Sequence, residues 1–373
     1  MNNSSSVNAT GRFQEDSNYF LPIKDWSRGL LVVVISYLII VAICTIIGNT
    51  VAIMALSFIR ISRNNPTNNQ FLCSLCVADL LVGILIVPSA IDAVIQGQWR
   101  AGTFWEFVNG FGNFFFCISS IMHLALLSFD RYIAVYYPLK YHRKMSSKRI
   151  VMMTICAWVY SCFWSLVPGL TDITSYECFI PYLEKCREKH WSSSWLHVAF
   201  TIGVIFLTYG LAMFAMVYMN IRLCRAVLDQ KSEHQNTIVL GHFVVKHQST
   251  AALQVPPIID LESSTIESSI EPSTSSKQSN STPLPTSKVK GITLLLVMVS
   301  AFFITWTPYC ICLFMEIISG EKMKNSATLI SMFIGLGNSA VNPIVYCIKY
   351  RRFRLALLGL FSKRCKVNIA PVS

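Results

Sequence analysis

Charge is what this sequence has least of. Only 13% of its 373 residues are Asp, Glu, Lys or Arg, against about 25% in a soluble domain. Hydrophobic residues make up 53%, and the mean hydropathy is +0.50. A single soluble core stops growing near about 250–300 residues. The surplus of apolar sequence is therefore expected to lie in lipid. A metal-ligand pattern is also missing: the one CxxC, Cys73 to Cys76, lies inside an apolar run, and there is no His/Cys set at zinc-like spacing, which removes the small zinc folds. The 13 cysteines do not make a disulfide scaffold. Most sit inside apolar runs (Cys44, Cys73, Cys76, Cys117, Cys156, Cys310, Cys347), where a thiol behaves as a small core hydrophobe. No basic stretch followed by a cleavable apolar segment precedes Asp25, so the first helix is expected to act as its own insertion signal.

What is abundant is long apolar runs. A bilayer core about 30 Å thick needs about 20 apolar residues per helical span. Seven runs qualify: 30–58, 69–95, 104–136, 149–170, 195–227, 288–317 and 327–348. The formal net charge of +12 would suggest nucleic-acid binding in a soluble protein. Here the basic residues flank the apolar runs, and no nucleic-acid partner is expected. One set of connections holds Arg60 and Arg63, Lys140 to Arg149, Arg222 and Arg225, and Lys349 to Arg354, whereas the other set is mixed in sign. Basic loops stay in the cytoplasm. That predicts an extracellular N-terminal tail over 1–29 and a cytoplasmic tail over 349–373. Spans one to five then occupy 30–228 and spans six and seven 288–348. The N-x-[ST] sequons at Asn2, Asn3 and Asn8 fall on the outer side, where they are candidate glycosylation sites.

Residues 229–287 are polar, Ser/Thr-rich and dotted with proline, a composition that cannot bury enough apolar surface to fold alone. They are expected to form a disordered third cytoplasmic loop. Basic and apolar residues then alternate at helical spacing over 349–361, predicting a short amphipathic helix on the inner membrane surface. Cys365 beside Lys363 and Arg364 is a palmitoylation candidate, or else an ordinary tail cysteine.

Polar residues inside apolar helices are costly and mark function. Asp79 lies near the middle of span two with no cation among its neighbours. It needs polar partners from other helices, water or a bound cation. Candidates are Asn49, Ser120, Asn338, Ser339 and Asn342. A protonated, purely structural acid is the bland alternative. Asp130-Arg131-Tyr132 ends span three before a basic loop, and alone it reads equally as a snorkelling pair. Pro308 and Pro343 fall inside spans six and seven, where each removes an amide donor and kinks its helix. Phe302 and Trp306 stand one turn apart before Pro308.

Taken in order, these residues resemble the rhodopsin-like G-protein-coupled receptors. The matches run through Gly48-Asn49, Ala78-Asp79-Leu80, Asp130-Arg131-Tyr132, Trp158, Tyr218, Phe302, Trp306, Pro308 and Asn342-Pro343-Ile344-Val345-Tyr346. The resemblance implies an all-α membrane protein, a seven-transmembrane helix bundle that responds to an extracellular small molecule or peptide. It also implies a heterotrimeric G protein as partner, with arrestin and receptor kinases behind it. Asp79, Ser120, Asn338, Ser339 and Asn342 look like the family's allosteric sodium pocket. Asp130, Arg131, Tyr132, Tyr218, Pro343 and Tyr346 look like its switch set, and Phe302, Trp306 and Pro308 like the relay beneath the ligand. The ligand pocket implied by analogy comprises Asn113, Phe114, Cys117, Ile202, Phe206, Trp306, Tyr309, Leu313 and Met332. Asp92 and Glu316 are candidates for an acidic rim, or are solvated charges at loop ends.

The departures are as informative. Where the family usually places a cysteine at the outer end of span three, this chain has Glu106. Cys178 and Cys186 in the second outer loop are therefore expected to pair with each other. The aspartate that anchors amines in the amine receptors is here Asn113, which argues against a standard monoamine salt bridge. No lysine lies within span seven for a retinal Schiff base, arguing against a light-sensing opsin. Gly210 replaces the usual proline of span five, so that helix is expected to be straighter or more mobile. Lys288 and Lys290 stand where some relatives have an acid that pairs with the switch arginine, which predicts basal signalling. The rival classes are a transporter or channel, which should show repeats and several intramembrane charges, and an enzyme. For an enzyme His123 is the best isolated candidate, and it reads equally as a packing residue.

Overall fold

In the computed structural model, the described residues are 26–63, 70–171, 174, 176, 179–182, 195–229, 286–319, 326–349 and 354–355. Seven helices among them are long and apolar enough to cross a membrane. We label them α1 (Arg28–Arg63), α2 (Gln70–Gln96), α3 (Gly102–Tyr136), α4 (Ser147–Leu170), α5 (Trp195–Asp229), α6 (Thr286–Ser319) and α7 (Ser326–Ile348). No strand occurs among the described residues. Lipid offers no partner for a bare N–H or C=O, so helices that close their own hydrogen bonds are the available answer. Each helix leaves an apolar face outward: Val33, Ile40 and Ile47 on α1, Met152, Ile155 and Val159 on α4, Phe214, Val217 and Ile221 on α5. An apolar exposed face of this length is a surface for acyl chains.

Three helices depart from regular α geometry, each near a site residue. α2 contains a π turn over Val82–Ile86, immediately before Pro88 in the first turn of its outer half. The wider turn absorbs the missing proline donor. α5 contains a second π turn over Ile205–Gly210. Gly210, expected to leave α5 straighter or more mobile, ends this bulge. α7 breaks at Gly337, between helical segments Ser326–Leu336 and Asn338–Lys349. Irregular backbone at membrane depth persists where it is buried in protein, and here it delivers Asn338 and Ser339 to the bundle interior.

Two apolar cores fill the bundle. The outer one gathers Leu38, Ile86, Phe116, Tyr182, Phe333 and their neighbours. The inner one gathers Leu75, Leu124, Met216, Met298, Tyr346 and others. Trp306 packs against both, and Asp79 is buried between residues of α2 that belong to the inner core (Cys76) and the outer core (Val82). Close approach of α1 to α7 depends on Gly48: a Cβ there would lie 2.7 Å from the Cβ of Pro343. Small residues at such crossings let helices pack without a hydrophobic drive between them.

Cys178, Cys186, Asn2, Asn3, Asn8 and Cys365 lie outside the described residues, as does nearly all of 229–287. Of the proposed amphipathic helix only Lys349, Arg354 and Leu355 are described, all in helical conformation.

Candidate functional site

The deepest polar cluster is built on α2. Asp79 is fully buried. Its Oδ1 accepts from Ser339 Oγ at 2.9 Å and from Ser120 Oγ at 3.4 Å, and its Oδ2 accepts from Asn342 Nδ2 at 2.7 Å. One carboxylate thus ties α2 to α3 and α7. Asn49 extends the tie to α1, its amide donating to Thr45 O at 2.9 Å and to Ser339 O at 3.1 Å. The latter carbonyl lies four residues before Pro343, which has no N–H to offer it. Of the residues singled out in sequence, Ser120, Ser339 and Asn342 meet Asp79 directly. Asn338 is buried beside them in sequence but makes no hydrogen bond to Asp79. Buried amide oxygens of Asn49, Asn338 and Asn342 have no hydrogen-bond partner.

At the inner end of α3, Arg131 pairs with Asp130 (Nη2 to Oδ2, 3.3 Å). The Tyr141 hydroxyl donates to the other oxygen of Asp130 at 2.8 Å. Burial, and then the Asp130 carboxylate, push the Tyr141 phenol well above the usual tyrosine range. It stays protonated at physiological pH and remains a donor. Tyr136 reaches α5 through its hydroxyl, which donates to Arg222 O at 2.8 Å. The switch residues are not all in contact. Tyr346 is fully buried, whereas Tyr218 is half exposed on α5. Phe302 and Trp306 lie with ring centroids 6.3 Å apart, one turn apart on α6.

Beside Trp306 is a cavity of about 120 Å³ between α3, α5, α6 and α7. Asn113, Phe114, Cys117, Trp306, Tyr309, Leu313 and Met332 line it, as expected from sequence. Ile202 and Phe206 do not. They are 47% and 62% exposed and share the lipid face of α5, one turn apart. The residues that α5 turns inward are Thr201, Val204, Ile205, Thr208 and Tyr209. The expected register was off by one residue at the start, and the π turn adds a further shift within Ile205–Gly210. A uniformly apolar helix carries no polarity contrast to reveal its inner face, but the threonines at 201 and 208, two turns apart, were an available signal. The acidic rim does not form as expected either: Asp92 is exposed while Glu316 is buried, and neither lines the cavity.

Sequence reasoning missed the roof. Residues 176 and 179–182 of the second outer loop descend into the bundle. Tyr182 is fully buried. Its hydroxyl donates to Asn109 Oδ1 at 2.5 Å and accepts from Asn113 Nδ2 at 2.9 Å. Asn109 in turn donates to Leu85 O at 3.2 Å, within the π turn of α2. Tyr309 donates to the carbonyl of Phe179. Tyr176 fills a slot between α3 and α4. A Cβ on Gly110 would run into its ring, a Cβ on Gly169 would lie 2.7 Å from its hydroxyl oxygen, and that hydroxyl donates to Ser165 O at 2.7 Å. The loop is thus docked on α3 one turn inward from Glu106, where relatives of the family would use a cysteine.

His123 is buried, with Nδ1 2.7 Å from Ser119 O and its ring 5.5 Å from that of Trp158. A carbonyl only accepts, so Nδ1 carries the proton. Among the described residues no group of three or more His, Cys, Asp or Glu side chains is placed to hold a metal.

Residues 48–346 match the family described as 7 transmembrane receptor (rhodopsin family). Similar proteins include an Alpha-2 adrenergic receptor of Carassius auratus, 26% identical over 98% of this chain and 92% of its own length. The 5-hydroxytryptamine receptor 1E of Homo sapiens is 25% identical over 88% of this chain and 92% of its own. Trace amine-associated receptor 1 of Mus musculus is 23% identical over 90% of each. The match covers the helices that carry the Asp79 cluster, the Asp130–Arg131 pair and the cavity, and it removes the transporter and enzyme alternatives. This chain belongs to the rhodopsin family of seven-transmembrane receptors.

Proposed function

We propose that this multi-pass receptor sits in the plasma membrane with its N-terminus outside. It binds an extracellular ligand in the cavity beside Trp306 and activates a heterotrimeric G protein at the inner ends of α3, α5 and α6. The observation that carries this is continuity. The cavity runs past Trp306, which touches both apolar cores, to Phe302 and Ile121 of the inner core; Asp79 lies buried where those cores meet on α2; and the Asp130–Arg131 pair lies at the inner end of α3. A ligand that prefers one packing of Trp306 shifts the population of the whole bundle, because only differential affinity moves an equilibrium. Arrestin and receptor kinases fit the same inner surface. The relatives are named for amines, but the position that would hold an amine's counter-charge is Asn113, so an amine ligand is not carried over.

The Asp79 cluster fits an allosteric sodium ion. Hard monovalent and divalent cations take oxygen ligands. Here one carboxylate, two hydroxyls, and the buried amide oxygens of Asn49, Asn338 and Asn342 supply them. An ion bound there would hold α2, α3 and α7 together and would favour the arrangement with Asp130–Arg131 paired.

The pairing is the restraint on signalling, and Lys288 and Lys290 add no acid to it from α6. Basal activity is expected. Nucleotide exchange, cAMP and calcium measured in ligand-free cells should exceed those of mock-transfected cells in at least one pathway; equality in every pathway counts against the reading. Tyr141→Phe should raise that basal activity further, by roughly threefold to tenfold, since a hydrogen bond to a carboxylate contributes on the order of 1 kcal/mol or more. An unchanged or lower basal rate at equal surface expression would show that Tyr141 does not restrain the switch.

A further inference from the structure

The cavity's polar groups are all neutral. Among the described residues that line it there is no Asp, Glu, Lys, Arg or His. Its hydroxyl donors are already committed. Thr201 donates to His197 O at 2.9 Å, Thr208 to Val204 O at 2.6 Å, and Tyr309 to the Phe179 carbonyl. The amide of Asn113 donates to Asn109 O at 2.9 Å and to the Tyr182 hydroxyl at 2.9 Å. What remains is the indole N–H of Trp306 and a set of acceptors. The Asn113 Oδ1 atom is buried and has no hydrogen-bond partner, and each threonine hydroxyl keeps lone pairs. The rest of the wall is Phe114, Ile118, Ile121, Phe302, Trp306 and others of like character.

We propose that this cavity takes an uncharged, largely apolar small molecule bearing one ring and a hydrogen-bond donor such as a hydroxyl, held beneath the second outer loop with the donor on Asn113. The proposal rests on the receptor reading for the place of the site and goes beyond it in the chemistry of the ligand. A cavity of about 120 Å³ is close in size to the cavity of about 150 Å³ that accepts benzene in another protein, so a single ring fits. An ammonium entering here would lose its hydration with no counter-charge to replace it, and a buried charge is tolerated only when paired. The Asn113 oxygen, by contrast, is unsatisfied until a donor arrives, and leaving a buried acceptor unpaired is costly. Size, neutrality and the unpartnered Asn113 oxygen select the same class of molecule.

The test uses the full chain, purified in lipid nanodiscs, and reads thermal unfolding against a homologous series of phenylalkanols and the matching phenylalkylammonium ions. The alcohols should raise the unfolding temperature with an optimum in chain length, and the ammonium ions should need at least about tenfold higher concentration for the same shift. Filling the cavity with Leu313→Trp should remove the effect of the alcohols, which separates binding from partition into lipid. Asn113→Asp should invert the preference, gaining at least about tenfold for the ammonium ions. The comparison on the unaltered chain stands by itself where that variant fails to fold. Ammonium ions matching the alcohols on the unaltered chain, through the ring faces of Trp306 or Tyr309, would overturn the proposal. No alcohol giving a shift, or a shift that survives Leu313→Trp, would do the same. Binding is read without a G protein. Alcohol binding with no nucleotide exchange in any pathway would sink the receptor reading alone, and exchange driven by the ammonium ion would sink this proposal alone.

Discussion

Asp79→Ala is expected to lower the unfolding temperature of the purified receptor by roughly 5 °C and to abolish any stabilisation by sodium. The first effect follows from the geometry. The carboxylate accepts from Ser120, Ser339 and Asn342, and its loss leaves their donors buried. Each such group costs about 1–3 kcal/mol unless it finds another acceptor. Ser120 has one in reach, the carbonyl a turn earlier in α3, so its loss is nearer the lower bound, whereas Ser339 opens the segment after the break at Gly337 and has no preceding turn. The amide of Asn342 is held at 2.7 Å and has no such retreat. A net loss of about 3 kcal/mol follows. The second effect separates a structural acid from an ion site. Asp79→Asn keeps the shape and one acceptor oxygen, so it should lose less stability, yet it removes the charge that a cation requires. Unfolding measured in sodium chloride against choline chloride decides: the unaltered chain should be stabilised by sodium and both variants should not. A variant that still responds, or an unaltered chain that never does, would leave Asp79 as a purely structural acid.

Arg131→Ala is expected to abolish ligand-dependent and basal nucleotide exchange while leaving the receptor folded at the cell surface. The side chain is 30% exposed and its one ion pair is with the adjacent Asp130, so truncation removes little packing. What it removes is the only cation of the switch triplet at the inner mouth of α3. Truncating one member of a buried charged contact costs about 2–5 kcal/mol, or roughly a 30-fold or larger drop in productive G-protein engagement. The measurement is GTPγS uptake in membranes with surface expression matched by an epitope tag. Exchange at the unaltered rate would separate this chain's mechanism from that of the family. Asp130 keeps its bond from Tyr141 in the variant, which protects it from becoming a bare buried charge.

The sequence disclosed the features that the bilayer makes expensive. Seven spans are legible because lipid fixes their length, and Asp79 is legible because a carboxylate amid Leu75, Val77 and Leu81 must have a reason. The inner end of α3 is legible for the same cause. Two things were not. The inward face of α5 was misjudged by one residue at Ile202 and Phe206, because a helix apolar on all sides gives no contrast between lipid and interior. A bulge ending at Gly210 is not encoded by any single residue type. The roof over the cavity was hidden for a different reason. Its bonds join residues far apart in the chain, such as Asn113 and Tyr182, 69 positions away. Only Asn109 and Asn113, one turn apart on α3, hinted that something polar would land there.

The slot that holds Tyr176 bears on how this receptor can vary. A disulfide fixes a loop through two side chains that must both be cysteine. Here α3 and α4 fix it through two side chains that must both be missing, since a methyl group at Gly110 or Gly169 would collide with the tyrosine. Drift at these three positions is coupled: a smaller residue at 176 empties the slot, and only then does Gly110 become free to change, while at Gly169 the Phe107 ring must give way as well.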